Sequence, residues 1–163
     1  MRWKFLALLV FVFLINLDSV FAACTGTDPP SSGSWFVSDT TTCSNIEINM
    51  PSNSWINVTG NLTLIGVNLT FNLTGDGKAN ITVFSNGTLI INATASNDWN
   101  IITSNDTALE FAFVTHNSST LYINKANISE VGWTGANNTG GIYINTINAS
   151  IYNSNFDNNF RAF

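Results

Sequence analysis

The chain has 163 residues, enough for one domain, and 45% of them are hydrophobic, enough for a core, yet only 9% are charged and the formal net charge is −5. That balance argues against a nucleic-acid partner, which needs a basic face, and the interleaved apolar residues argue against disorder by self-repulsion. Asparagine takes the place of charge: there are twenty-five, and Ser and Thr together number thirty-five.

In chain order, Arg2 and Lys4 precede an apolar run from Phe5 to Ile15, and small residues at Ala22 and Ala23 offer a cleavage point. Residues 1–22 read as a secretory signal peptide, which places the protein outside the cell or on its surface. A retained membrane anchor is the alternative, although the run is short of the ~20 residues needed to span. Membrane contact is expected only if this segment stays uncleaved. Its removal leaves nine acidic and three basic residues, a net charge of −6.

Residues 23–45 read as a short N-terminal cap carrying the two cysteines, Cys24 and Cys43. In an oxidising compartment a disulfide between them would staple the cap, with a chain-entropy effect on the order of 3 kcal/mol. Lipid attachment at Cys24, after small residues, is the rival. Phe21 stands where such a site expects an aliphatic residue, and Cys43 would lack a partner.

Residues 46–163 read as stacked β-coils. In NVTGNLTLIGVNLTFNLTGDG (57–77) alternation puts Leu62 and Leu64 on one face. After a bend near Gly66, Val67, Leu69, Phe71 and Leu73 line the core opposite Asn68, Thr70, Asn72 and Thr74. The past-signal chain holds twelve Asn-x-Ser/Thr triplets. These are sugar-acceptor motifs, but alternation along an Asn/Thr-faced strand writes them too. Those at turns, Asn86, Asn105 and Asn117, are the expected acceptors.

From residue 80 the chain cuts into equal segments, 80–99, 100–119, 120–139 and 140–159, of which the first three begin NITVFSNGTL, NIITSNDTAL and TLYINKANIS, while the fourth reads GGIYINTINA. Ile81, Ile101 and Leu121 then share a column, as do Leu89 with Leu109 and Phe113 with Trp133. Asn97, Asn117 and Asn137 recur at the same interval, with Asn158 one position late. Short alternating runs broken by Ser, Asn, Gly and Asp predict strands and turns, not helices. So short a unit cannot bury its own apolar face, so units must stack, with parallel strands about 4.8 Å apart. The Asn column reads as a structural ladder of side-chain amides along that stack.

The runs GIYINTINASIYNSNFDNNF (141–160) and LYINKANISEVGW (121–133) resemble coils of the right-handed parallel β-helix repeat proteins of the pectate-lyase-like superfamily, and the Asn-rich secreted chain is most similar to archaeal cell-surface members. The resemblance covers residues 46–163 and implies an all-β fold, a single-stranded right-handed parallel β-helix, here of about five coils. A leucine-rich-repeat-like solenoid is the alternative, on the flavour of LTLIGVNLTFN. The last residues, Asn158 to Phe163, offer no polar cap. The expectation is therefore a stack that continues, through further chain or by end-to-end self-association.

Enzymes of the resembled group imply an Asp cluster holding calcium with an Arg base, or Asp carboxylates with His and Arg-x-Lys. Past the signal this chain has one Arg, Arg161, one His, His116, and no Asp-Asp pair, so neither set carries over. Glu110 and Glu130, separated by one such interval, are the surviving weak catalytic candidates. Stacking would set them roughly 5 Å apart, the separation of a retaining glycosidase pair. Trp35, Trp55, Trp99 and Trp133 read as cap and core filling, with Trp99 the one to test for glycan binding. No cofactor and no metal site is implied. The expected function is a non-enzymatic structural, adhesive or glycan-interacting module, with carbohydrate or other surface proteins as partners. The alternative is the N-terminal part of a polysaccharide lyase or hydrolase whose active site lies outside this segment.

Overall fold

The computed structural model describes residues 23–94, 98–132 and 141–157; the predicted signal segment lies outside them. These residues form strands and no helix: β1 (Ala23–Thr25), β2 (Trp35–Val37), β3 (Thr40–Ser44), β4 (Glu47–Met50), β5 (Trp55–Val58), β6 (Asn61–Ile65), β7 (Asn68–Phe71), β8 (Asn80–Val83), β9 (Thr88–Asn92), β10 (Asn100–Ser104), β11 (Ala112–Thr115), β12 (Thr120–Asn124), β13 (Ala126–Ser129), β14 (Ile142–Ile144), β15 (Asn148–Tyr152) and β16 (Asn155–Asp157). Every third strand returns to the same sheet. The first sheet stacks β2, β5, β8, β11 and β14, the second β3, β6, β9, β12 and β15, and the third β4, β7, β10, β13 and β16, all in parallel. β1 joins the second sheet antiparallel to β3. The chain is thus all-β, with parallel strands stacked in three sheets, an architecture compatible with a β-helix solenoid. A leucine-rich repeat would set a helical side against a single sheet, and here further sheets occupy that side.

Alternation decides which residues enter the core. Leu62, Leu64, Leu69 and Phe71 are buried at 0–1% exposure, while Asn61 and Asn68 between them face solvent. Leu62, Leu89 and Leu121 stack in one column, and Leu64, Ile91 and Ile123 in the next. Each such side chain contributes about 1.5–3 kcal/mol by leaving water. At the corner between the second and third sheets, Asn45, Gly66, Lys125 and Asn153 take left-handed backbone with φ of 44–60°. That region suits Gly and Asn, and it lets one residue redirect the strand.

The disulfide between Cys24 and Cys43, 19 residues apart, ties β1 to β3, and Cys43 is buried. The bond is compatible with an extracellular location. Trp35 is 1% exposed, and its Nε1–H donates to the Thr27 carbonyl at 3.1 Å, which holds the N-terminal segment over the start of the stack.

The stacking step is longer than the even cut of the sequence, and it varies. Ile48 faces Leu69, a step of 21, but Leu62 faces Leu89 and Leu89 faces Leu121, steps of 27 and 32. In the first sheet Ile56, Ile81, Phe113 and Ile142 follow at 25, 32 and 29. Ile81, Ile101 and Leu121, one column by sequence, therefore lie in the first, third and second sheets. The physical reason is that a shift by the even interval advances the chain by two strands, and the column it makes matches side-chain type while crossing faces: Ile81 and Leu121 point inward but Ile101 points outward. Connections of unequal length, such as 72–79 and 105–111, then stretch the true step.

Candidate functional site

Among the described residues, one bridge keeps the even interval. Phe111 bridges Val131 in parallel, its N–H donating to the Glu130 carbonyl at 3.0 Å, and Gly132 returns an N–H to the Phe111 carbonyl at 2.9 Å. Glu110 and Glu130 are thereby neighbours in the stack. Their environments differ: Glu130 is 3% exposed with left-handed backbone (φ 62°), whereas Glu110 is half-buried. The Glu110 carboxylate lies over Gly132, where any Cβ would collide with it. The Glu110 backbone is held in turn by residues of the preceding connection, its N–H reaching Asp76 Oδ1 at 3.2 Å and its carbonyl accepting from Gly77 at 2.8 Å. This geometry packs one carboxylate against backbone and buries the other. Among the described residues no group of three or more His, Cys, Asp or Glu is placed to hold a metal. A groove of 430 Å³ lies elsewhere, between the N-terminal segment and β4, lined by Cys24, Asp28, Pro30, Glu47 and Asn49 among others.

The turn asparagines Asn86, Asn105 and Asn117 are all exposed. Asn105 also works for the fold, since its Oδ1 accepts the Leu73 N–H at 2.7 Å. Of the Asn column read from the sequence, Asn97, Asn137 and Asn158 lie outside the described residues, and Asn117 sits in the turn after β11. A ladder does form, through other residues. Asn124 Nδ2 donates to Asn92 Oδ1 at 2.9 Å, and Asn153 Nδ2 donates to Asn124 Oδ1 at 3.2 Å. The signal was present in the sequence as TLIIN (88–92) and TLYIN (120–124), one motif written twice at the longer step. Asn100, wholly buried, accepts the Val67 N–H on Oδ1 at 3.0 Å, and its Nδ2 has no hydrogen-bond partner.

The tryptophans divide. Trp35 fills the core as expected, whereas Trp55 and Trp99 are 48% and 38% exposed; Trp133 lies outside the described residues. Trp55 shares its surface with other rings, because the outward positions of the first sheet carry one ring per strand or strand end. These are Phe36 beside β2's Val37, Trp55 opening β5, Phe84 closing β8, His116 closing β11 and Tyr143 in β14. Phe84 and His116 stack with centroids 5.2 Å apart and planes 5° from parallel. Between the rings lie Asn57, Asn80, Thr82 and Val114, and no Asp, Glu, Lys or Arg faces outward from these five strands. Sequence reasoning missed this face because its members meet only in the unequal register.

Comparison of the chain with protein-family models, with curated proteins and with solved structures returns no match.

Proposed function

We propose that the protein is a non-enzymatic, secreted or cell-surface solenoid, a right-handed parallel β-helix of about five coils, acting as a structural, adhesive or glycan-interacting module. The observation that carries this reading is the neutral exterior. Outward positions of the second sheet are Thr, Asn, Ser, Ile and Tyr, and those of the first are mainly rings, amides and hydroxyls. The apolar run at residues 5–15 and the Cys24–Cys43 disulfide support the extracellular setting. A second reading, a polysaccharide-cleaving site at the Glu110 and Glu130 pair, rests on the backbone stacking beside them. Incubation with acidic and neutral polysaccharides, followed by assay for both retention and new reducing or unsaturated ends, separates the two. Retention without cleavage is expected. Cleavage that disappears in Glu110→Gln or Glu130→Gln would replace the first reading with the second.

The proposal includes sugar on the chain itself. Asn105 ranks first, because Asn105 and Thr107 are both exposed, and Asn86 second, with Thr88 half-buried. Asn117 ranks third, because Ser119 is buried and its hydroxyl donates to the His116 carbonyl at 2.7 Å. Glycopeptide mass spectrometry of the native protein showing the reverse order of occupancy would overturn this ranking.

A further inference from the structure

We propose that the outward face of the first sheet is the binding surface for an uncharged polysaccharide, laid across the stacked strands with its sugar rings against Phe36, Trp55, Phe84, His116 and Tyr143. This rests on the glycan-interacting form of the reading above and gives it a site and a ligand class. Exposed hydrophobic residues scattered singly call for no explanation. Here Phe36 is 65% exposed, Trp55 48%, Tyr143 47% and Phe84 38%, and all project from one sheet. On the second sheet the corresponding outward positions of the early strands are Thr40, Thr42, Asn61 and Thr63, so stacking itself does not demand rings.

The chemistry of the face selects the ligand. A pyranose ring presents an apolar C–H face and a rim of hydroxyls, and it is matched by aromatic planes set among neutral donors and acceptors. Asn57 lies between Phe36 and Thr82 in the central column, and Asn80 follows Trp55 in the next. A polyanion finds no Lys or Arg within these five strands and meets a chain of net charge −5, while a cationic partner finds no carboxylate within them. A protein partner would want an apolar centre and a polar rim. Here the middle is mixed instead, with Asn57 of β5, Thr82 of β8 and Val114 of β11 running between Phe36 and Tyr143.

The dimensions agree. Strands about 4.8 Å apart put roughly 19 Å between β2 and β14, and the strand rise of ~3.3 Å puts about 13 Å between the outermost outward positions of one strand. That footprint holds a run of several sugar units. The buried valines of these strands, Val37, Val58 and Val83, anchor the backbone that carries the rings, so little backbone ordering entropy is lost on binding.

Native affinity electrophoresis of the full chain in gels containing hydroxyethyl cellulose, galactomannan or polygalacturonate tests the proposal. The variants are Trp55→Ala, Phe84→Ala and the double variant, with Trp99→Ala, away from this sheet, as an exposed control and circular dichroism melts to verify folding. Retardation by a neutral polymer is expected, weakened roughly 10-fold or more in the double variant and unchanged in Trp99→Ala. Binding that survives the double variant, or is lost in Trp99→Ala, overturns the assigned face while leaving a glycan module standing. Retardation by polygalacturonate alone overturns the ligand class. Absence of retardation in all three gels overturns both the face and the glycan reading. Concentration-dependent dimers abolished by the double variant in light scattering would assign the face to protein instead and overturn the proposal.

Discussion

Ile101 and Ile102 are adjacent, identical in composition and opposite in fate, which makes them the sharpest test of the register. Ile102 is 0% exposed and stacks between Leu69 and Ile128, whereas Ile101 is 40% exposed and stacks between Asn68 and Asn127. Replacing either with Ala removes three carbons, a transfer loss of about 2.4 kcal/mol if all were buried, at ~0.8 per carbon. For Ile102 the whole loss applies and a cavity term adds to it, so Ile102→Ala should cost about 3–4 kcal/mol, within the usual range for buried Ile. For Ile101 some 60% of the surface is covered given its 40% exposure, water fills the vacated space, and roughly 1.4 kcal/mol is an upper estimate. Urea unfolding followed by circular dichroism, with the two variants at matched m-values, reads the difference directly. A gap of about 2 kcal/mol in favour of Ile101→Ala is expected. Equal losses, or a greater loss at Ile101 as the evenly cut column requires, would refute the stacking described above.

Three further outcomes follow from named contacts. Replacing Cys24 and Cys43 together with Ser should lower stability by about 3 kcal/mol for a loop of this length, and reductant should reproduce the loss in the native protein during urea titration. Hydrogen bonds from the Thr41 and Thr27 hydroxyls hold the Asp39 carboxyl below its ordinary value of 3.8. Its folded-state value is depressed, so its stabilisation is present above pH 3.8 and is lost as pH falls through the lower folded value. Thermal melts of Asp39→Asn should accordingly show a smaller drop over that acid window than the native chain, and an identical drop would refute the assignment. Asn124→Ala breaks both ladder bonds, but Asn92 is half-buried and Asn153 exposed. Water then replaces the lost partner, and the cost in a chemical denaturation curve should be about 1 kcal/mol or less. A loss above ~3 kcal/mol would mean a ladder shut off from water.

The parts of this fold legible in the sequence are those set by local alternation. Leu62, Leu64, Val67, Leu69, Phe71 and Leu73 enter the core as the alternation requires, and short turn-broken strands with no self-sufficient core lead to stacking. The cysteines pair as their positions in an oxidising setting suggest. Register was not legible, because strand strings from three sheets look alike and only the lengths of connections tell them apart. Asn97, Asn117 and Asn137 align when the chain is cut uniformly, while the recurrence of TLIIN (88–92) as TLYIN (120–124) marks true neighbours. The ring face needed the register first, since Phe36, Trp55, Phe84, His116 and Tyr143 have no regular spacing. Glu110 and Glu130 are backbone neighbours, because the bridge at Phe111 and Val131 happens to keep the short step, but burial of Glu130 depends on packing that no local pattern announces.

The scarcity of charge has a physical source in the stacking itself. Outward side chains of parallel strands sit one above another about 4.8 Å apart. Like charges at that distance repel by about 0.9 kcal/mol even in water, and a column of Lys or Glu would repeat the penalty at every strand. An amide or hydroxyl column reverses the sign, since each member is both donor and acceptor and each bond contributes about 0.5–1.5 kcal/mol. The molecule uses this throughout. Asn92, Asn124 and Asn153 bond in series, Asn61 Nδ2 donates to Thr40 Oγ1 at 3.3 Å, Asn53 Nδ2 to Thr74 Oγ1 at 2.8 Å, and Ser129 Oγ to Thr103 Oγ1 at 2.9 Å. Asn and Thr at alternate positions of a strand are therefore favoured before any sugar is attached, and the twelve acceptor triplets are in large part a by-product. The same neutrality leaves the first sheet's rings among uncharged neighbours, so a demand of the fold also shapes the ligand chemistry of that face.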